Sequence, residues 1–332
     1  MKEAMFYEKL NGNVRCLLCP RYCIIPEGKV GFCRNRQNIN GKLYAIGYGK
    51  VCSLAIDPIE KKPLYHFYPG TNVLSLAIAG CNFRCMHCQN WQVSQVSPLD
   101  VPYKEMSPED VINLAKYYNS PGVCYTYTEP TVYYEFMYDT SKLAHEHNLF
   151  NVMVTNGYIN EEPLKILPMD AMNIDIKGNE RFYNEICKAE LEPVLKTCKL
   201  AKKLGIWIEI TNLIVPGYND NLEDIMFIIE FVRDELGREV PLHFTRFHPD
   251  YKLLDVPPTP IETLEKAREL ALKAGLKYVY IGNVPGHEGE HTYCPECGAL
   301  LIKRDIFNIE FVNLDVENKE CIVCGEKIDI IL

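Results

Sequence analysis

From residue 73 onward the chain alternates short apolar, β-branched runs with longer segments whose apolar positions recur at helical spacing. Residues 73–79, 123–128, 151–155, 172–176, 206–215 and 242–247 read as strands, with 277–281 as a seventh candidate. The intervening helices carry start and stop signals. Ser107 before Pro108 pairs an N-cap with a first-turn proline, and Thr259, Pro260 and Glu262 repeat that entry with capping-box spacing. Asn221 precedes LEDIMFIIEFVRDEL, which Gly237 should stop, and Gly275 should end the helix that begins near Pro260. Alternation at this spacing predicts parallel βα units. Six or seven of them fall short of the eight that close a barrel. The expected fold is therefore α/β, a partial, open (β/α)6 TIM-type barrel whose gap would admit a large substrate.

The pattern breaks at both ends, dividing the chain into residues 1–56, 57–283 and 284–332. In the first part, RCLLCPRYCIIPEGKVGFCRNR sets Cys16, Cys19, Cys23 and Cys33 among too many Pro and Gly for a long helix or strand. Four thiolates so close together suit a closed metal site, filled by zinc or by an iron-sulfur cluster. The last part has C-P-x-C-G at Cys294 and Cys297, two short strand-like runs, and C-x2-C-G at Cys321 and Cys324, the pattern of a zinc ribbon. With four thiolates there, His287 and His291 are not needed as ligands. Residues 40–53 and 57–72 read as polar turns. Lys61, Lys62, Tyr65 and His66 would either line a site above the first strand or belong to a solvated connection.

Composition narrows the function classes. With 332 residues, 47% hydrophobic and 24% charged, the chain has a sizeable core and lacks the apolar run of about 18 residues needed to cross a bilayer. MKEAMFYEKLNGNVRC lacks the apolar stretch of a secretory signal, so a cytoplasmic protein without membrane contact is expected. A net charge of -9 gives no general attraction to phosphate backbones, which argues against nucleic acid as a partner. Fifteen cysteines without an export signal point to metal or redox chemistry rather than a disulfide framework. Eleven of them cluster, while Cys52, Cys124, Cys187 and Cys198 stand alone and read as packing.

The central group is the chemically distinctive one. AIAGCNFRCMHCQNW places Cys81, Cys85 and Cys88 as C-x3-C-x2-C on the loop that ends the first strand. Zinc usually closes a shell of four ligands, and here one is missing. A [4Fe-4S] cluster takes one thiolate per iron, so three thiolates leave one iron open to a ligand that is not protein. Small buried hydrophobes, the alternative, fit poorly among Asn82, Arg84, His87 and Gln89. In a parallel barrel the active site forms at the strands' C-terminal ends. There the chain sets Glu129, Asn156 with Gly157, Asp175 with Lys177, Thr211 with Asn212, and Arg246 with His248. Each alone could be a turn former or an ion pair; their common rim is the argument.

A C-x3-C-x2-C loop after a first barrel strand resembles the radical S-adenosylmethionine (radical SAM) superfamily. Over roughly residues 57–283 the chain is similar to the glycyl-radical-enzyme-activating proteins, such as the pyruvate formate-lyase activating enzyme. With CLLCPRYC, DPIEKKPLYHFYPG, YTYTEPT and CPECG included, it resembles the AmmeMemoRadiSam radical SAM proteins as a whole. The resemblance implies that Cys81, Cys85 and Cys88 hold a [4Fe-4S] cluster whose open iron binds S-adenosylmethionine, which is cleaved reductively to start radical chemistry. It implies that Glu129 meets the cofactor's amino group, Asn156 and Gly157 lie near its ribose and methionine portions, Asp175 and Lys177 contact it, and His87 stacks near adenine. Two departures stand out: Tyr127 and Thr128 replace the glycines of a G-G-E segment, and Thr211 stands where the activating enzymes carry an arginine, leaving Lys177 or Arg246 to meet the carboxylate. A protein or peptide substrate and a flavodoxin or ferredoxin type reductant follow from the same resemblance. The alternatives are the same chemistry on a small molecule or tRNA base, and a multi-zinc scaffold without chemistry.

Overall fold

The computed structural model covers residues 1–332. A nine-stranded mixed sheet forms its centre. Its main strands are β1 (Lys50–Pro58), β2 (Asn72–Ile78), β3 (Gly122–Tyr125), β4 (Phe150–Thr155), β5 (Ala171–Asp175), β6 (Trp207–Ile214), β7 (Leu242–Arg246) and β8 (Val279–Gly282). Strands β2 to β8 lie side by side in chain order and all parallel, so every expected run forms a strand, the seventh candidate included. Strand β1 is a correction, because the polar turns expected at residues 40–53 and 57–72 overlap it at both ends. It runs antiparallel to β2 from Val51 opposite Ile78 to Pro58 opposite Asn72, and the short strand Lys104–Glu105 pairs with its start. Its residues do not alternate cleanly because it lies near an edge and is only partly covered.

The two faces of the sheet differ, as a period of two requires. Leu74, Leu76, Met172, Ile174, Ile210 and Phe244 face the helices in a core of 66 buried residues. The longer helices are α1 (Pro108–Tyr117), α2 (Tyr134–Glu146), α3 (Glu161–Ile166), α4 (Glu192–Lys203), α5 (Leu222–Phe231) and α6 (Ile261–Lys273). Helix α1 starts with the expected Ser107 cap, completed as a capping box by Asp110. The box expected at Thr259 does not form, and α6 begins at Pro260 with no side-chain cap. The Thr259 hydroxyl instead donates to the Ile214 carbonyl at 2.6 Å and accepts from the Phe247 amide at 2.8 Å, tying together the ends of β6 and β7. The opposite face of the sheet is polar and still buried, with Ser75, Asn173, Glu209, Thr211, His243 and Thr245.

At the strands' N-terminal end, the segment after β1 turns inward against this polar face. Asn173 donates to the Pro63 carbonyl at 2.8 Å, and Glu209 accepts from the Tyr65 and His66 amides at 3.0 and 2.8 Å. Lys62 is buried and pairs with Asp57 at 2.5 Å. Lys62, Tyr65 and His66 therefore neither line the rim nor face solvent; only Lys61 is exposed. A buried ammonium needs a close counter-charge. Burial alone would raise the Asp57 carboxyl, but Lys61, Lys62 and the Tyr127 hydroxyl together hold it well below the usual carboxylate range.

The end segments dock on this centre. Short N-terminal strands carry Arg36, which is buried and paired with Glu135 of α2 through both carboxylate oxygens, at 3.1 and 2.7 Å. The C-terminal segment, with strands Thr292–Tyr293, Leu300–Asp305 and Asn308–Phe311, sends buried Arg304 to the Tyr65 carbonyl at 2.8 Å. Ile331 bonds the backbone on both sides of Phe67.

Candidate active site

The loop after β2 leaves the sheet through Ala79 and Gly80. Gly80 has a φ of +114°, and a Cβ there would lie 2.6 Å from the Cys33 carbonyl oxygen, so only glycine lets the chain pass. The loop is then held on several sides. The Arg84 amide donates to the Cys187 carbonyl at 2.9 Å, Met86 donates to Ile186 at 3.0 Å, and Lys252 donates to the Met86 carbonyl at 2.9 Å. Trp91 stacks on Tyr251 with ring centroids 5.3 Å apart. Asn82 donates to the Tyr158 carbonyl at 2.9 Å, and Asn156 donates to the Asn82 side-chain oxygen at 2.9 Å while lying 3.8 Å from the Cys81 sulfur.

Cys85 is buried, and Cys81 and Cys88 are partly so. Their sulfurs are not gathered within 4.8 Å of one another, unlike those of Cys294, Cys297, Cys321 and Cys324. Burial, then the Glu129 carboxylate and the other two sulfurs, push the Cys81 thiol up. Cys85 is pushed up first by its hydrogen bond with Cys187 and then by burial, while Lys177 pulls the other way. Thiolates here require a positive partner.

Two groups of rim residues meet the loop. Glu129 is buried and accepts four hydrogen bonds: from the Thr131 amide and hydroxyl at 3.0 and 2.7 Å, the Thr155 hydroxyl at 2.7 Å and the Asn156 amide at 2.8 Å. Burial raises its carboxyl against the pull of those bonds. Glu129 thus fixes the Asn156 turn that reaches Cys81, and its Oε2, with a single partner, keeps acceptor capacity. The glycines missing before it have a structural counterpart, because Tyr127 adopts a φ of +64°, the left-handed backbone that glycine favours. Gly157, at φ +70°, sits where a Cβ would approach Ile174 to 2.9 Å and Val194 to 3.1 Å.

The second group is Asp175 with Lys177, paired at 2.7 Å. Burial alone would lower the Lys177 ammonium, but Asp175, Cys85 and Cys187 overcome it and hold the charge on. Asn219 fixes that segment by donating to the Lys177 carbonyl at 2.7 Å and accepting from the Val215 amide at 2.6 Å. His87 is buried beside Phe182, with centroids 5.8 Å apart, and its Nδ1 has no partner. Burial, then the Lys177 charge, depress it to about 3, so the ring is neutral at pH 7.

Thr211 lies opposite Asp175 in the β5–β6 register, whereas Arg246 has no partner among the side chains of either group. The Thr211 hydroxyl donates to Asn173 at 3.0 Å within the sheet's polar face. Arg246 donates from Nε to the Thr259 carbonyl at 2.8 Å and lines an open cavity with Gln89, His248, Asp250 and Asn283. Cys187, read from the sequence as packing, adjoins the cysteine loop, its carbonyl accepting from the Arg84 amide at 2.9 Å. No spacing signal could have found it, because tertiary folding alone brings residue 187 to the loop.

Comparison with known proteins supplies the class, a radical SAM enzyme. The family model of the Radical SAM superfamily matches residues 76–232, so the chain carries a Radical SAM domain. Such a domain implies a [4Fe-4S] cluster and S-adenosylmethionine. Among its relatives, the Methanocaldococcus jannaschii protein MJ0808 is 74% identical over the full length of both chains. The pyruvate formate-lyase 1-activating enzyme of Escherichia coli is 22% identical, over 64% of this chain and 93% of that one. Of solved structures, Streptococcus suis SuiB bound to the precursor peptide SuiA shares the fold at a TM-score of 0.50 and 13% identity, covering 66% of this chain and 48% of SuiB. No helix is long and apolar enough to cross a membrane.

Proposed function

We propose that Cys81, Cys85 and Cys88 hold a [4Fe-4S] cluster and that the enzyme directs its radical chemistry at a protein or peptide. The observation that carries the reading is three thiols, one short of a closed shell, spread wider than single-ion ligands and opening onto a rim of buried polar groups. Cluster and S-adenosylmethionine, when bound, supply reductive cleavage of the sulfonium to methionine and a 5'-deoxyadenosyl radical that takes hydrogen from the substrate. The chain's own residues bind and orient. The unpartnered Nδ1 of His87 suits a polar atom of the nucleoside, and its neutral ring suits stacking. Lys177 brings positive charge beside Cys85 and, with Arg246, is a candidate for the cofactor carboxylate. Glu129, Asn156 and Gly157 hold the wall next to Cys81 and offer Oε2 of Glu129 to an amino group.

In this reading the sheet is a partial barrel. Its support is that Asp57 of β1, Asn173 of β5, Glu209 of β6, His243 of β7 and Tyr280 of β8 all contact one segment, residues 62–66. The three-part division belongs to the same proposal, with β1 taken into the barrel because the boundary at residue 56 falls inside it. Cys294, Cys297, Cys321 and Cys324 are proposed as a zinc site. Cys294 and Cys324 lie 3.6 Å apart and Cys297 and Cys321 3.7 Å, close to the roughly 3.8 Å edge of a tetrahedron with metal–sulfur bonds of about 2.3 Å. A flavodoxin or ferredoxin type protein is the proposed reductant. A macromolecular substrate draws support from the names of the two relatives that act on or bind a protein or peptide.

Anaerobic protein loaded with iron and sulfide, then given dithionite and S-adenosylmethionine, should release 5'-deoxyadenosine, and Cys81→Ala, Cys85→Ala and Cys88→Ala variants should not. Product formation by those variants at the parent rate would sink the proposal. Deuterium exchange from a labelled cellular peptide fraction into 5'-deoxyadenosine tests the substrate class; exchange from the small-molecule fraction alone would reassign it.

A further inference from the structure

We propose that Cys16, Cys19, Cys23 and Cys33 hold a second [4Fe-4S] cluster, which passes electrons to the central cysteine loop beside it. The relay role rests on the reading of the central site given above, whereas the metal assignment does not.

The two four-cysteine sets differ in geometry despite identical chemistry. The C-terminal four lie within 4.8 Å of one another, as one tetrahedral ion demands, but no three of the N-terminal sulfurs do. Those four instead line a common cavity with Arg21, Arg36 and Asn82. Thiolates spread around a space cannot all reach one ion about 2.3 Å away. A cubane places an inorganic core between them and takes one thiolate per iron. Arg36 gives independent support. Its two terminal nitrogens are bonded to Glu135, yet its Nε is buried and has no acceptor. A cluster sulfur is the acceptor this N–H lacks, and such bonds are among the groups that set a cluster's potential.

Position argues for electron transfer. Asn82 lines the cavity and directly follows Cys81. Arg21 donates to the Asn82 carbonyl at 2.9 Å, and Asn35 donates to the Ala79 carbonyl at 3.1 Å. Phe32, preceding Cys33, has the Arg21 and Arg84 guanidinium groups each 3.9 Å from its ring centre. The segment that carries Cys81 thus packs directly against the segments that carry Cys19, Cys23 and Cys33. On the outer side, Tyr22 and Ile24 are 50% and 56% exposed and flank Cys23, which gives a protein donor a place to approach. One electron leaves the flavodoxin or ferredoxin type donor, takes the outer cluster from the 2+ to the 1+ state, and moves on to the central site, returning the outer cluster to 2+. No bond is made or broken and no proton moves.

The test starts from the full chain with Cys81, Cys85 and Cys88 all replaced by Ala, loaded anaerobically with iron and sulfide in the presence of zinc. It should keep about four irons and about four sulfides, and give a 1+ cluster signal in electron paramagnetic resonance on reduction. A second zinc beyond the one proposed for the C-terminal site, with no iron, would overturn the assignment. In the full chain, Cys19→Ala/Cys23→Ala should lower the iron content by about four; unchanged iron would also overturn it. For the relay, 5'-deoxyadenosine formed with a reduced flavodoxin is divided by that formed with dithionite. The ratio should fall at least tenfold in Cys19→Ala/Cys23→Ala, and an unchanged ratio refutes the relay. A parent that holds the outer cluster but makes no 5'-deoxyadenosine at all would fail the proposed function while leaving the metal assignment standing.

Discussion

Replacing Glu129 with Gln tests whether its carboxylate organises the site. One oxygen accepts three hydrogen bonds and the other accepts the Asn156 amide, all in a buried setting. A glutamine has one acceptor oxygen and one NH2 group. If its oxygen keeps Thr131 and Thr155, its NH2 faces the Asn156 N–H, donor against donor; the other orientation sets NH2 against three donors. The smaller loss is one charge-assisted bond of about 1.5–3 kcal/mol together with an orphaned buried N–H, itself about 1–3 kcal/mol. Glu129→Gln should therefore destabilise the protein by about 3 kcal/mol. The displaced Asn156 turn should loosen the contact with Asn82 and Cys81 and cut 5'-deoxyadenosine formation. Thr155→Val removes one of these bonds and also the 3.0 Å bond that its hydroxyl accepts from the Gly157 amide, so it should cost about 2 kcal/mol. Urea denaturation of both variants, with slopes compared to the parent, gives the energies. A Glu129→Gln protein within about 0.5 kcal/mol of the parent and fully active would refute the reasoning, since surface changes alone stay in that range.

Other substitutions probe other parts of the chain. Gly157→Ala meets a left-handed φ and contacts of 2.9 and 3.1 Å, so about 2–4 kcal/mol of stability should be lost, measured by thermal or urea unfolding. Glu135→Ala leaves the Arg36 charge buried without its partner and should cost about 3–5 kcal/mol by denaturant midpoint; a change below about 1 kcal/mol would mean that the pair is not closed in solution. Burial holds His66 down to about 4, against about 6.5 for an exposed histidine. Its contribution is complete above about pH 6.5 and drains away as pH falls toward 4, because the unfolded chain takes the proton first. His66→Gln should flatten stability over that window. A zinc chelator should release one ion and make residues 292–332 sensitive to protease while leaving the sheet protected in hydrogen exchange.

Much of the barrel was legible in the chain because its strands are buried and its helices amphipathic. Residues 73–79 through 277–281 could be placed from hydrophobic period alone, and the structure pairs them in that order. The cysteine spacings were legible for a related reason: metal ligands on one loop must be close in sequence. Strand β1 was not, because next to the sheet's edge it is only partly covered and lacks a clean alternation. The Thr259 cap was misread because its hydroxyl had a stronger tertiary use between Phe247 and Ile214.

For the site, the sequence by itself determined which groups stand at the strand ends and that the central loop lacks a fourth thiol. Tertiary structure decided their roles. It turned Glu129 toward Asn156, brought Lys177 and the isolated Cys187 to the cysteine loop, and buried Lys62 and His66 at the far end of the sheet. It also separated two four-cysteine sets that read alike, drawing one within 4.8 Å and spreading the other around a cavity. The physical reason is common to all of these. Period and spacing report contacts along the chain, whereas the partners of a buried charge or thiol are distant in sequence and meet only when the sheet is complete.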